Sequence, residues 1–224
     1  MKVPGIDYFS REHPLRRPAS SISLAVRHKM FDFFMQVMRP GPEDTVLDVG
    51  VTPDQELPES NYFEELYPYK NQLVASSFED ASFLKDKYPG LLFVKTGKKG
   101  LPFKDKSFDF VFCSAVLEHA GAQKDQRELV LELLRVGRSF FITTPNRWFP
   151  VDFHTLFPFL HWLPQAAHQR ALRLLGKHFW ACTENLNLLS AATITTLLPD
   201  RVSFRIKKQR LLGLSSNLII YGNT

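Results

Sequence analysis

The chain has 224 residues, enough for one α/β domain with a substantial core, and its 44% hydrophobic and 23% charged residues are those of a globular protein. A net charge of +5 and a pI near 9.2 favour an acidic partner, such as an anionic membrane surface or a phosphate-bearing substrate. The basic groups "RRP", "KTGKKG" and "RIKKQR" follow no aromatic-interleaved RNA motif or helix-turn-helix pattern, so no nucleic acid is expected. No apolar run reaches the roughly 18–20 residues of a spanning helix, and no secretory signal pattern is present. Cys113 and Cys182 lack metal-ligand spacing, which fits reduced thiols acting as small apolar fillers in a cytoplasmic protein.

Ser20 and Ser21 read as caps of a first helix, whose apolar residues recur at helical spacing through Met38. "RPGPED" stops it and leads to a strand, "TVLDV", at 45–49. After a polar, aromatic stretch from Thr52 to Asn71 come a strand at 72–76, a helical pattern in "FEDASFLKDKY" and a strand at 91–95. A buried strand at 108–113 precedes "QKDQRELVLELLRV", an amphipathic helix with Leu129, Leu133 and Val136 on one face. "SFFITTP" is a fifth strand, stopped by Pro145. The chain ends in a helix, "SAATITTLLP", and two strands, "VSFRIKKQR" and "NLIIYG", separated by "LLGLSS" and read as an antiparallel pair.

Strands alternating with helices over 45–144 predict a parallel sheet covered on both faces. Ligands then bind beyond the carboxyl ends of the strands, near the switch in strand order. No internal repeat and no second domain is evident. One domain over 1–224 is expected, with a helical segment at 1–44 and an aromatic, basic insertion or lid at 145–189.

Three pieces carry a family resemblance. "VLDVG" at 46–50, "LPFKDKSFDFVFCSAVLEH" at 101–119 and "FFITTPN" at 140–146 resemble, in order, the first motif, the strand-four block and the strand-five exit of the class I S-adenosylmethionine-dependent methyltransferases, type 11 group. The combination of "DVGVT", "NYFE…YPYK" and "TPNRWFP…FHT" is similar to a bacterial subgroup with a non-standard glycine motif. The resemblance implies a Rossmann-like, mostly parallel seven-stranded sheet with an antiparallel C-terminal strand. This chain departs from the family at the contacts. Val51, Thr52 and Pro53 stand where glycines usually follow the first motif, Ser76 and Ser77 end strand two where an acid is usual, and lysines follow strand three.

What the resemblance implies for the site is S-adenosyl-L-methionine lying across Asp48, Val49 and Gly50, Ser77 and Phe78, Gly97 and Lys98, and Ser114 and Ala115. Methyl transfer is an in-line displacement that needs near-attack positioning, and a base where the acceptor is a hydroxyl. Asn146, Arg147 and Trp148 are the expected acceptor contacts. His154, Asp152 and His119 are the catalytic candidates, with His154 as general base or acceptor orienter. A hydrogen-bonded core histidine is the structural alternative. Glu118 either pairs with His119 or caps the helix that follows.

His154, His161 and His168 recur every seven residues, but Pro158 and Pro164 interrupt any helix across them, so no metal site is expected. The basic, aromatic segment 165–189 is either a core-packed insertion or a lid for a lipid-linked acceptor, with peripheral contact to an anionic inner membrane. Two functions follow. One is methyl transfer to a small-molecule, sugar or lipid-linked acceptor, at oxygen. The other is a methyltransferase-fold pseudoenzyme serving as a binding or scaffolding module. Sequence does not decide the oligomeric state.

Overall fold

The structure is a computed structural model that describes residues 16–97 and 100–224. Lys98, one of the expected cofactor contacts, lies outside the described residues.

Seven strands form one sheet: β1 (Val46–Val49), β2 (Leu73–Ser77), β3 (Leu92–Lys95), β4 (Phe108–Ser114), β5 (Gly137–Pro145), β6 (Ser203–Leu211) and β7 (Leu214–Asn223). Their order is β3-β2-β1-β4-β5-β7-β6. Only β7 runs antiparallel to its neighbours, as expected from the family resemblance. The order reverses between β1 and β4, and this splits the carboxyl edge into a crevice.

The central strands are apolar at successive positions because both faces of the sheet are covered. Alternate residues part to opposite sides. Phe112 and Phe141 pack with the first helix, α1 (Arg16–Met38), and with α2 (Tyr62–Leu66). Phe34 of α1 is wholly buried, with its ring edge-on to Phe63, Phe112 and Phe141 at 5.2–5.4 Å between centroids. Val111, Cys113, Phe140 and Ile142 pack instead with Val130 and Leu133 of α4 (Gln123–Val136) and with Ile194 and Leu197 of α6 (Ala191–Leu197). Each buried large side chain contributes roughly 1.5–3 kcal/mol.

Some elements differ from the sequence reading. Ser20 caps nothing. It lies inside α1, buried, with its hydroxyl donating to Glu59. The pattern at 78–88 yields only the short α3 (Leu84–Lys87), because Ser77 Oγ and Asp80 Oδ1 accept the amides of Glu79 and Ser82 and hold the chain in turns. The stretch 52–71 contains α2, and the six-residue link before the last strand shrinks to Leu212 and Gly213. Both have positive φ (51° and 81°), which suits a two-residue hairpin turn. Cys113 is buried, but Cys182 is exposed, so only the former fills the core. Among the described residues, no helix is long and apolar enough to cross a membrane.

The insertion between β5 and α6 carries α5 (Gln165–Leu174) and a small core of its own, with Leu172, Trp180, Leu186 and Leu188 at its centre. It is tied to the loop after β4. Asn187 donates its amide to the Glu118 carbonyl (2.8 Å) and Nδ2 to Gly121 (2.9 Å), while Gln126 Nε2 donates to the carbonyls of Asn187 and Leu117.

Candidate active site

A cavity of about 610 Å³ opens at the carboxyl ends of β1 and β4, within the range of small-ligand sites. Asp48, Val49, Gly50, Ser77, Phe78, Gly97, Ser114 and Ala115 all line it. Gly50 has φ +102°, and a Cβ there would lie 2.1 Å from Val116 Cγ2. Ala115, itself left-handed at φ 57°, turns the chain sharply after β4 just before Val116. The single retained glycine therefore lets the backbone after β1 approach the Val116 side chain closely. The rest of the turn is shaped differently. Asn61 accepts the Thr52 amide at Oδ1 (2.9 Å) and donates Nδ2 to the Thr52 carbonyl (2.8 Å), a side-chain clamp in place of glycine flexibility.

Beside the turn, two acids share the cavity wall. Glu64 of α2 is wholly buried, and Asp48 is nearly so. The carboxyl groups face each other, and among the described residues no other residue's donor reaches either Glu64 oxygen. Burial first, and then the neighbouring Glu64, hold Asp48 well above the usual carboxylate range; burial also raises Glu64. Burial thus disfavours the charged form of both carboxyls, and a cation between them would offset that cost. Arg27 of α1 lines the same wall, donating to the Glu59 carbonyl (2.6 Å) with its guanidinium 5.3 Å from the centre of the Tyr62 ring. Tyr62, Ser114 and Thr143 form a hydroxyl chain, with spacings of 3.1 and 2.9 Å.

Glu118, His119 and His154 line the cavity on the side of the insertion. Asp152 does not line it but holds His154, with Oδ1 2.7 Å from Nδ1. Asp152 also accepts the amides of His154 and Thr155 and the Thr155 hydroxyl. Burial would raise Asp152, but the charge of His154 and these bonds outweigh it and hold the carboxylate far below its usual range. Burial lowers His154, and the attraction of Asp152 more than reverses this. His119 donates Nδ1–H to the Asn185 carbonyl (2.6 Å), and burial, together with the neighbouring His154, pushes it down to about 3. Its imidazole is thus neutral at physiological pH. Glu118 is wholly buried and raised by that burial. Oε2 accepts from Thr144 Oγ1 (2.9 Å), and Oε1 has no partner among the described residues. One ligand atom each from Glu118, His119 and His154 lies within 4.8 Å of the others. The ring of Trp180 walls both imidazoles, at 6.1 and 5.2 Å between centroids.

Asn146, Arg147 and Trp148 do not line this cavity. Asn146 Nδ2 donates to the Ser215 carbonyl, and its Oδ1 accepts the Trp148 amide, which turns the chain away as it leaves β5. Arg147 donates to the Leu163 carbonyl and borders a separate small pocket with His161 and His168. Trp148 is 55% exposed, against Trp162. His154 is therefore grouped with Glu118 and His119 and not with the histidines at seven-residue intervals. The sequence reading missed Arg27, Asn61, Tyr62 and Glu64. For Arg27 a signal existed, since Ser23, Val26, Arg27 and Met30 recur at helical spacing and all line the cavity. Glu64 sits in an aromatic run, and nothing in its spacing marks it.

Residues 60–139 match a family model described as a methyltransferase domain, type 11. Among solved structures, the chain is similar to magnesium protoporphyrin IX methyltransferase from Synechocystis with bound SAH, at 14% identity over 97% of this chain and 91% of that one, with a TM-score of 0.59. It is similar to a SAM-dependent methyltransferase from Methanosarcina mazei, at 16% identity, 82% and 94% coverage and a TM-score of 0.53. A SAM-dependent methyltransferase from Aquifex aeolicus gives 14%, 92%, 97% and 0.52. No curated protein sequence matches the chain.

Proposed function

We propose that this chain, which has the fold of the S-adenosylmethionine-dependent methyltransferases, binds that cofactor and methylates an oxygen of a small-molecule, sugar or lipid-linked acceptor. The observation that carries this reading is the buried pair Asp48 and Glu64 in the wall of the cavity at the strand switch, two acids whose burial outweighs the charges of Arg27 and Lys70 facing them. A zwitterionic ligand with positive charge suits such a pair, since a cation there removes the penalty of burying carboxylates. The close approach of the backbone at Gly50 suits a ligand seated on the turn.

When bound, S-adenosylmethionine supplies a methyl group on a sulfonium sulfur. Asp48 and Glu64 would hold its positive end and Arg27 its carboxylate. Ser77, Phe78, Gly97, Ser114 and Ala115 form the remaining wall. The Glu118, His119 and His154 cluster would receive the acceptor, whose hydroxyl proton would pass to water as the oxygen is methylated. Asp152 positions His154, and the Trp180 ring packs against both imidazoles. Arg147 and Trp148, which lie outside the cavity, support a different role. Trp148, with Phe159, Trp162 and Leu163, forms an exposed apolar patch on the insertion beside Arg147. Peripheral contact with an anionic membrane, bringing a lipid-linked acceptor to the cavity, fits this patch. Co-sedimentation with anionic liposomes that is lost in Trp148→Ala/Trp162→Ala supports it; no binding to such liposomes removes the membrane part.

Calorimetry with S-adenosylmethionine and S-adenosylhomocysteine tests the main reading. Affinity in the micromolar range, weakened by Glu64→Gln, is the expected result. Absence of binding at millimolar ligand would overturn it in favour of the scaffolding role.

A further inference from the structure

We propose that Glu118, His119 and His154 form a site for a divalent first-row transition cation at the acceptor end of the cavity. One ligand atom from each lies within 4.8 Å of the others. A cation held at about 2.0–2.2 Å by imidazole nitrogen and carboxylate oxygen brings such atoms to about 3–3.5 Å from one another. Small side-chain rotations supply that contraction.

The surroundings prepare each ligand. The Asn185 carbonyl can only accept, so Nδ1 of His119 carries the hydrogen and Nε2 is the nitrogen with a lone pair. Asp152 imposes the same tautomer on His154 through the 2.7 Å contact at Nδ1. Carbonyl and carboxylate partners of this kind orient metal-binding histidines and raise their basicity. Glu118 supplies an independent observation. It is wholly buried, Thr144 reaches only Oε2, and Oε1 is left without a partner. A buried carboxylate oxygen without a donor is costly, and a cation relieves it. Two imidazoles and one carboxylate favour a first-row transition ion over magnesium or calcium and leave coordination positions open.

No spacing rule reveals this set. Glu118 and His119 follow β4, His154 lies in the insertion, and the Asn187 hydrogen bond to the Glu118 carbonyl helps tie the two segments together. The site itself stands whether or not the chain transfers methyl groups. Its use rests on that reading. An open position takes the acceptor hydroxyl oxygen, and the cation acidifies it so that its proton passes to water.

The test is titration of the chelator-stripped full chain with Co²⁺ alone. One ion per chain is expected, with visible ligand-field absorption, displacement by Zn²⁺, and quenching of tryptophan fluorescence through Trp180. Trp180→Phe keeps every ligand, so it should retain the absorption and lose most of the quenching. Asp152→Asn should weaken binding about 10- to 100-fold, and His154→Ala more, with circular dichroism confirming that each variant is folded. No saturable binding overturns the proposal, as does binding that His154→Ala leaves unchanged and that quenches no Trp180 fluorescence. These outcomes are independent of the S-adenosylmethionine calorimetry, so either reading can fail alone. Methyl transfer that survives chelation would overturn the assigned use of the cation.

Discussion

Asn61 and Thr52 hold each other through two hydrogen bonds, 2.9 Å from the Thr52 amide to Oδ1 and 2.8 Å from Nδ2 to the Thr52 carbonyl. They are nine residues apart, and Asn61 sits at φ 53° immediately before α2. The pair closes the loop after β1 and so carries Tyr62 and Glu64 to the cavity wall. Asn61→Ala removes both bonds and should cost about 1–3 kcal/mol of stability in urea unfolding. It should also weaken S-adenosylmethionine binding in calorimetry. A variant with unaltered affinity would show that the clamp does not shape the ligand site.

Gly50 and Val116 test the close approach of the two loops. Gly50→Ala places a methyl 2.1 Å from Val116 Cγ2, at a φ of +102° that an L residue rarely adopts. Val116→Ala removes the worst of the clash, leaving Cβ at 3.2 Å, and leaves the backbone strain, which costs of order 1–3 kcal/mol. A double-mutant cycle read by thermal unfolding should therefore show Val116→Ala recovering part of the loss caused by Gly50→Ala. Simple additivity of the two losses would contradict this geometry.

The acid pair predicts a pH dependence with a definite sign. Asp48 and Glu64 are raised in the folded protein, so the stability they contribute is complete below their unfolded values near 4. It is lost as pH rises through their folded values. Facing charges come from Arg27 on α1 and from Lys70. Glu64→Gln keeps the shape, removes one charge and lets Asp48 fall towards the ordinary range. Unfolding measured from acid to neutral pH should show the variant gaining on the wild type as pH rises. A constant difference would mean that the pair is not strained by burial. Asp152, held low, acts in the opposite direction in both proteins, so it cancels in the comparison.

Phe34 is the core residue most exposed to test. Its ring touches α2, β4 and β5 through edge-on contacts with Phe63, Phe112 and Phe141. Phe34→Ala should cost about 3–5 kcal/mol in denaturant unfolding. A loss well under 2 kcal/mol would show that the neighbouring rings close the gap.

By itself the sequence determined the sheet. Apolar runs of strand length, an amphipathic helix at 123–136 and a glycine after Asp48 are local patterns, and they stand where they were read because period and turn chemistry act over a few residues. The lining of the cavity at the strand switch was legible for the same reason. Asp48, Gly50, Ser77 and Ser114 lie at or just beyond strand ends, and parallel strands bring their carboxyl ends to one edge. Tertiary structure alone decided the rest. Whether Asn146, Arg147 and Trp148 enter the cavity depends on where the chain turns after β5, and the bond from Asn146 to the Ser215 carbonyl sends them away. Glu64 reaches Asp48, and His154 reaches Glu118 and His119, across loops whose path is set by long-range hydrogen bonds. No periodicity along the chain encodes contacts between segments that are brought together only when the core closes.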